Sequence, residues 1–165
     1  MTPSPLAERI VAELTRRGER VAVAESLTGG LLASAFVDVP GASAVFGGGV
    51  VAYSTVFKAH LLGVDQALLD ERGAVDPEVA RQMASGVRER VPHRDFVVDY
   101  ALATTGVAGP DPQDGQAPGT VWIGYADAAG ATAELLQLAG GRDAIRHATV
   151  DAALALLARR LGIRE

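Results

Sequence analysis

The chain has 165 residues, 48 % of them apolar, and a formal charge of −5. That length and apolar content suit one domain with a full core, and mildly acidic, interspersed charge argues against a nucleic-acid-binding face. With no cysteine in the sequence, disulfides, thiolate nucleophiles and cysteine metal sites are excluded.

In chain order, Ser4-Pro5 reads as an N-cap and first helical residue. Leu6, Ile10 and Leu14 follow at helical spacing, and Gly18 closes the helix. The valine-rich RVAVAE (20–25) predicts a buried strand. LLASAFVDV (31–39) predicts an apolar helix stopped before Pro40. AVFGGGVVAYS (44–54) predicts a second strand, its glycine triplet implying a bulge or a close backbone approach. Two short helices follow, STVFKAHLLG (54–63) capped by Ser54 and DQALLDERG (65–73) capped by Asp65. Asp76-Pro77 opens a longer helix with Val79, Met83 and Val87 on one face. FVVDYALATT (96–105) predicts a third strand and GPDPQDGQAPG (109–119) a loop dense in turn residues. TVWIGYAD (120–127) and ATAELLQLAG (131–140) predict a hairpin joined through Ala129-Gly130. Arg142 to Leu161 predicts a closing helix with Ile145, Leu154 and Leu157 toward the core.

The order αβαβαααβββα argues for parallel strand pairs, with one antiparallel strand forced by the late hairpin. The expected fold is α/β: a three-layer α/β/α sandwich with a mixed, mostly parallel sheet of about five strands, built as a single domain over 1–165. His60, His93 and His147 lie far apart and form no ligand spacing. The opening MTPSPLAERI is not a signal peptide, and no apolar stretch reaches membrane-spanning length. A cytoplasmic protein is expected, with no metal, no membrane partner and no direct nucleic-acid contact; a homo-oligomer is compatible with this sequence.

Four polar stretches stand out. In VAESLTGG (23–30) an apolar run stops at Glu25 and Ser26 where a strand hands over to a helix, a place that lies at the mouth of an α/β sheet. Thr28, Gly29 and Gly30 would form the first turn, whose free N–H groups suit an anion; an ordinary N-cap would also look like this. In AYSTVFK (52–58), Tyr53 and Ser54 close a strand, and Lys58 shares a helix face with Ser54. A solvated lysine beside a rim tyrosine is the plain alternative. ATTGVAGP (103–110) again ends a strand in hydroxyls and glycines, with Thr105, Gly106 and Gly109 as a nest of backbone donors or simply a turn. In GGRDAIRHAT (140–149), Arg142 and Arg146 crowd a helix start, where cations oppose the dipole; an anion between them, or pairing with Asp143 and Asp151, would explain them.

If the three strands are parallel, their ends converge on one pocket. Serine needs a base to become a nucleophile, and without a histidine at the strand ends Lys58 is the candidate. It must be neutral, which burial or a nearby cation favours. Tyr53 could relay a proton or orient the lysine. Glycine N–H groups from Gly29, Gly30 or Gly106 could hold an oxyanion, and the arginines suit a phosphate. The sum is acyl transfer to water on a small phosphorylated amide or ester, without a metal.

AESLTGG, VVAYS with the lysine at 58, TTGVAGP, GTVWIGYA and GRDAIRHAT resemble the C-terminal domain of the competence/damage-inducible CinA family, over almost the whole chain. Several stand-alone members of that family are nicotinamide mononucleotide amidohydrolases. The resemblance implies an α/β/α sandwich, a small-molecule nucleotide substrate, and release of ammonia with formation of nicotinate mononucleotide, with no cofactor. It implies Ser26 as nucleophile, Lys58 as base, Tyr53 as the tyrosine of the strand-end motif, Thr105 with the following GVAGP as a substrate loop, and Arg142 near the phosphate. Thr28, Gly29, Gly30, Ser54, Gly106, Gly109 and Arg146 complete the candidate binding set. Two departures are plain: Leu27 stands where relatives frequently have cysteine, and Gln116-Ala117-Pro118 replaces their Lys-Pro-Val run. The pyrophosphatase domain of larger relatives is not expected here. An inactive nucleotide-binding or regulatory paralogue tied to competence or DNA damage is the alternative expectation.

Overall fold

The computed structural model describes residues 3–163. Helix α1 (Pro5–Arg17) leads into β1 (Val21–Glu25), α2 (Leu31–Val37), β2 (Phe46–Val51), α3 (Thr55–Leu62), α4 (Gln66–Arg72) and α5 (Pro77–Arg90). Then come β3 (Tyr100–Gly106), β4 (Thr120–Asp127), β5 (Gly130–Gln137) and α6 (Arg142–Leu161). A single 3-10 turn, Ala42–Ala44, precedes β2. The strands form one sheet in the order β2-β1-β3-β4-β5. β1 pairs in parallel with β2 and β3, while β4 lies antiparallel between β3 and β5. The sheet is therefore mixed and mostly parallel, as expected from helices between the early strands and a hairpin between the late ones.

Side chains alternate across the sheet, and that alternation decides which helix layer each residue meets. Val21 and Val23 of β1, Leu102 of β3 and Ile123 and Tyr125 of β4 bury into the core shared with α1, α2 and α6. Ala22, Ala24, Ala101, Ala103 and Ala126 face the other way, into the core with α5. This second face is built of small residues, so α5 lies close to the sheet. The same parity sends Glu25 and Thr104 toward α2 and Thr105 toward the segment between α4 and α5, which fixes the candidate site before any loop is considered.

Both readings of the glycine triplet hold. The β1–β2 register skips one residue between Val21/Phe46 and Ala22/Gly48, leaving Gly47 as a bulge. A Cβ on Gly47 would enter the Phe96 ring at 2.2 Å, and one on Gly49 would meet Val23 Cγ2 at 2.6 Å. Several boundaries differ from the sequence reading; the strand expected to run to 140, for one, ends at Gln137. The strand expected over 44–54 is confined to Phe46–Val51 by the 3-10 turn before it and the turn into α3 after it. The one expected from 96 starts at Tyr100, because Phe96 exchanges both backbone bonds with His93, and the N–H groups of Asp99 and Tyr100 donate to the Arg20 carbonyl. The helix expected over 31–39 ends at Val37. The last hairpin turns at Ala128-Ala129, since Asp127 and Gly130 are paired.

Helix α3, which carries Lys58, is seated on α5 through Gly86. A Cβ there would stand 1.8 Å from the Leu62 carbonyl oxygen. Alanine is the better helix former by about 1 kcal/mol, but this clash is with backbone that cannot rotate aside. Gly86→Ala is expected to destabilise the protein by about 2 kcal/mol net. Thermal unfolding checks the sign, since a helix glycine without such a contact would give a gain.

Candidate active site

The C-terminal ends of β1, β2 and β3 open into one cleft. Ser26, Leu27, Ala74, Val75, Thr105 and Gly106 line its inner part, and Tyr53, Gly109, Asp111, Gln113 and Arg142 its rim. Ser26 is the first residue past β1; its N–H donates to the Thr104 carbonyl, which holds it to β3. Lys58 enters from α3. Its side chain is buried, with 1 % of the residue exposed, and its Nζ donates to Ser26 Oγ at 2.9 Å, to the Ala52 carbonyl at 2.8 Å and to the Tyr53 carbonyl at 3.3 Å. Burial lowers the lysine from its ordinary value of 10.5 to about 8, with the Asp114 carboxylate pulling weakly the other way. The amine thus meets the nucleophile candidate, is neutral in roughly a fifth of molecules near physiological pH, and uses two backbone carbonyls to fix its direction.

The corner that presents Ser26 is held from both sides by buried or half-buried charged groups. The Glu25 carboxylate is fully buried and accepts from the N–H groups of Gly30 (2.9 Å), Leu32 (3.1 Å) and Ala33 (2.8 Å). Helix α2 has Gly30 at its N-cap, with no side chain to cap it; a carboxylate five residues upstream does so instead. On the other side, Arg146 Nε donates to the Leu27 carbonyl at 2.9 Å and its Nη2 to the Thr28 carbonyl at 3.0 Å. Thr28 Oγ1 and Thr104 Oγ1 are hydrogen-bonded at 2.7 Å in the interior.

Ser26, Tyr53, Thr105, Gly106, Gly109 and Arg142 come together around the cleft as the sequence reading groups them, with Lys58 behind Ser26. The others do different work. Thr28 is buried against Thr104 and gives its carbonyl to Arg146. The Gly29 N–H donates to the Ser26 carbonyl and the Gly30 N–H to Glu25, so neither is open to an oxyanion. Ser54 is exposed, stands outside the cleft lining, and its side chain makes no capping bond to α3. Arg146 spends its donors on backbone carbonyls rather than on a phosphate, and Asp143 approaches His147 instead of either arginine. The Tyr53 phenol does not touch the lysine: its Oη accepts from Arg142 Nη2 at 3.1 Å across the cleft mouth, and only its carbonyl reaches Lys58. Arg142 Nη1 also holds the Gly109 carbonyl at 2.8 Å.

Sequence reasoning misses Glu25 as the helix cap, although a strand-ending carboxylate shortly before a helix that starts on glycine is a readable sign. It also misses the tie between the cleft walls. Asp114, at the tip of the 109–119 loop, accepts from the Ala74 N–H at 3.1 Å, and a Cβ on Gly73 would meet its carboxyl carbon at 2.6 Å. Thr105 Oγ1 donates to the Ala74 carbonyl at 2.6 Å. One further donor matters: among the described residues nothing accepts from the Leu27 N–H, which lies beside Ser26 at the cleft wall.

The family model described as CinA C-terminal domain matches residues 3–161. The chain belongs to the CinA C-terminal domain family. A CinA-like protein of Frankia casuarinae is 48 % identical over 152 residues, covering 92 % of this chain and 34 % of that protein. A CinA-like protein of Geobacter sulfurreducens is 48 % identical over 153 residues, covering 92 % and 36 %. The chain thus spans about a third of the length of these curated CinA relatives. Among solved structures, the competence/damage inducible protein of Agrobacterium tumefaciens matches with a TM-score of 0.89 at 35 % identity, covering 98 % of both chains. A CinA superfamily protein of Escherichia coli matches with a TM-score of 0.87 at 32 % identity, covering 94 % of this chain and 88 % of that one. The mixed five-stranded α/β fold is therefore the CinA fold. No helix among the described residues is long and apolar enough to cross a membrane.

Proposed function

We propose that this cleft hydrolyses the carboxamide of nicotinamide mononucleotide, giving nicotinate mononucleotide and ammonia. The observation that carries the reading is the buried Lys58 Nζ at 2.9 Å from Ser26 Oγ, with its basicity lowered to about 8. Neutral Lys58 takes the Ser26 hydroxyl proton while Oγ bonds to the amide carbon. The Leu27 N–H, the donor following the nucleophile, is the group we assign to the resulting oxyanion, and such a bond lowers the barrier by about 3–4 kcal/mol in comparable sites. The C–N bond then breaks, the leaving nitrogen takes the proton from Lys58, and ammonia departs. Water attacks the acyl ester, its proton passes to Lys58 and on to Ser26 Oγ, and the carboxylate is released.

At the rim, Arg142 and the amino end of α6 suit the phosphate, and the Asp111 carboxylate suits the sugar hydroxyls. Ammonia release from nicotinamide mononucleotide by the purified protein is the direct test. The pH profile tests the base. Because the neutral amine is the reactive form, kcat/KM is expected to rise roughly tenfold per unit below pH 8 and to level above it. A flat profile between about pH 6 and pH 10 would remove Lys58 from this role. The sign for stability follows from the same burial. The folded value lies below the unfolded one, so the folded state holds fewer protons between about 8 and 10.5 and gains stability as pH rises through that window.

A further inference from the structure

The loop over 109–119 forms one side of the cleft rim, and it is fastened unevenly. Its ends are tied to the body of the protein: the Gly109 carbonyl accepts from Arg142 Nη1 at 2.8 Å, and the Gly119 N–H donates to the Val107 carbonyl at 2.8 Å. Between them, residues 110–115 are exposed. Among the described residues, a single hydrogen bond joins 110–116 to the rest of the chain: Asp114 Oδ2 accepts from the Ala74 N–H at 3.1 Å. The other bonds of this stretch are internal. Gln113 and Gln116 exchange both backbone bonds around a tip where Asp114 (φ 51°) and Gly115 (φ 74°) are left-handed, a two-residue hairpin turn that Asp-Gly favours.

The Asp114 side chain lies on the corner between α4 and α5. Gly73 there has φ 75° and ψ −174°, a conformation essentially confined to glycine, and a Cβ on it would stand 2.6 Å from the Asp114 carboxyl carbon. The missing side chain leaves the room that the carboxylate uses. Ala74 is fixed on its other side by the sheet, since its carbonyl accepts from Thr105 Oγ1 at 2.6 Å, and Ala74 and Val75 line the inner cleft. Arg72, the cation beside this corner in sequence, approaches Asp76 at 3.8 Å, so Asp114 is held by a backbone donor and by packing. Its charge also reaches Lys58, where it opposes the effect of burial; the latch thus stands within electrostatic range of the reacting pair.

We propose that Asp114 is a positioning residue for the substrate, a role that rests on the nucleotide reading above: its carboxylate latches 110–116 onto the α4–α5 corner and keeps Asp111 and Gln113 at the rim, beside the nucleotide end of a ligand in the cleft. Such a latch acts on binding more than on the chemical step. Ser26 is held by β3, and the Lys58 amine by Ser26 and the carbonyls of Ala52 and Tyr53, none of which belongs to the loop.

Three variants separate the acceptor from the fold of the tip. Asp114→Asn keeps an oxygen for the Ala74 N–H and tolerates a left-handed backbone. Asp114→Ala and Asp114→Gly remove the acceptor, and glycine does so without strain at a positive φ. For Ala and Gly, KM for nicotinamide mononucleotide is expected to rise about tenfold or more with kcat within about twofold of wild type, while Asn keeps both within about threefold. Assay at about pH 9 keeps Lys58 mostly neutral with or without the Asp114 charge. Amide exchange at Ala74 reads the latch without turnover: it is expected to quicken about tenfold or more in the Ala and Gly variants and to stay slow in Asn. Melting curves check that each variant keeps its fold. A wild-type protein that releases no ammonia would remove the amidase reading alone, because Ala74 exchange and the Kd of the mononucleotide by calorimetry still decide the latch. Unchanged exchange at Ala74 in Asp114→Gly overturns the proposal. So does a KM or Kd that rises equally in Asp114→Asn, or a loss confined to kcat.

Discussion

Ser26→Ala and Lys58→Met are each expected to slow ammonia release on the order of 10⁴-fold or more, and the double variant to be no slower than the worse single one. The expectation follows from geometry. Lys58 Nζ has three acceptors, and two of them, the carbonyls of Ala52 and Tyr53, are backbone. Its only reactive neighbour is Ser26 Oγ. With serine removed, the amine has no proton to take; with the amine removed, the hydroxyl has no acceptor strong enough to activate it. Losses that multiply would mean that the two groups act separately, and would reject the pairing. Lys58→Arg is a sharper version, because it keeps a cation and much of the stem but stays charged at any accessible pH; it is expected to be as slow as Lys58→Met. Melting curves keep the interpretation clean. Methionine replaces a desolvated ammonium by apolar volume, at the cost of leaving two carbonyls without their donor, so the chain is expected to stay folded.

The convergence of Ser26, Tyr53 and Thr105 on one cleft was legible because it depends on sheet direction alone. Helices between β1, β2 and β3 force those strands parallel, parallel strands end on one side, and hydroxyls stand at each end. The parity that places Thr105 on the α5 side and Glu25 on the α2 side is readable in the same way. Long side chains were not legible. Arg142 and Arg146 look alike in sequence, one turn apart at the start of α6. How α6 packs against α2 sends Arg146 to the carbonyls of Leu27 and Thr28, while Arg142 reaches the rim. Ser54 and Lys58 share a helix face by spacing, yet one is in solvent and the other buried, because Lys58 turns inward under Ala52. Tyr53 was grouped with the base as a side chain, yet it meets Lys58 only through its carbonyl, an atom that sequence does not distinguish, while its phenol bonds Arg142. The late start of β3 rests on the His93–Phe96 turn, a tertiary choice within a stretch that reads as continuous strand.

Glu25→Ala is expected to lower stability by about 4 kcal/mol or more, near the upper end for a single substitution. The carboxylate is the acceptor for three backbone N–H groups at the start of α2. Each would be left buried or half-buried without a partner, at roughly 1–3 kcal/mol apiece before relaxation, and the helix would lose the anion at its positive end. For a domain of this size the melting temperature should fall by about 10 °C. Glu25→Gln separates charge from shape. Its amide oxygen can still serve Gly30 and Leu32, but its amino group then faces the Ala33 N–H donor to donor, so an intermediate loss is expected. Because Ser26 follows Glu25 directly, kcat should fall in Glu25→Gln at temperatures where the protein is fully folded, with KM little changed. A Glu25→Ala protein melting within about 2 °C of wild type would show that α2 does not depend on this carboxylate. The corner presenting Ser26 would then be held by Arg146 and by the bonds of Ser26 and Thr28 to Thr104.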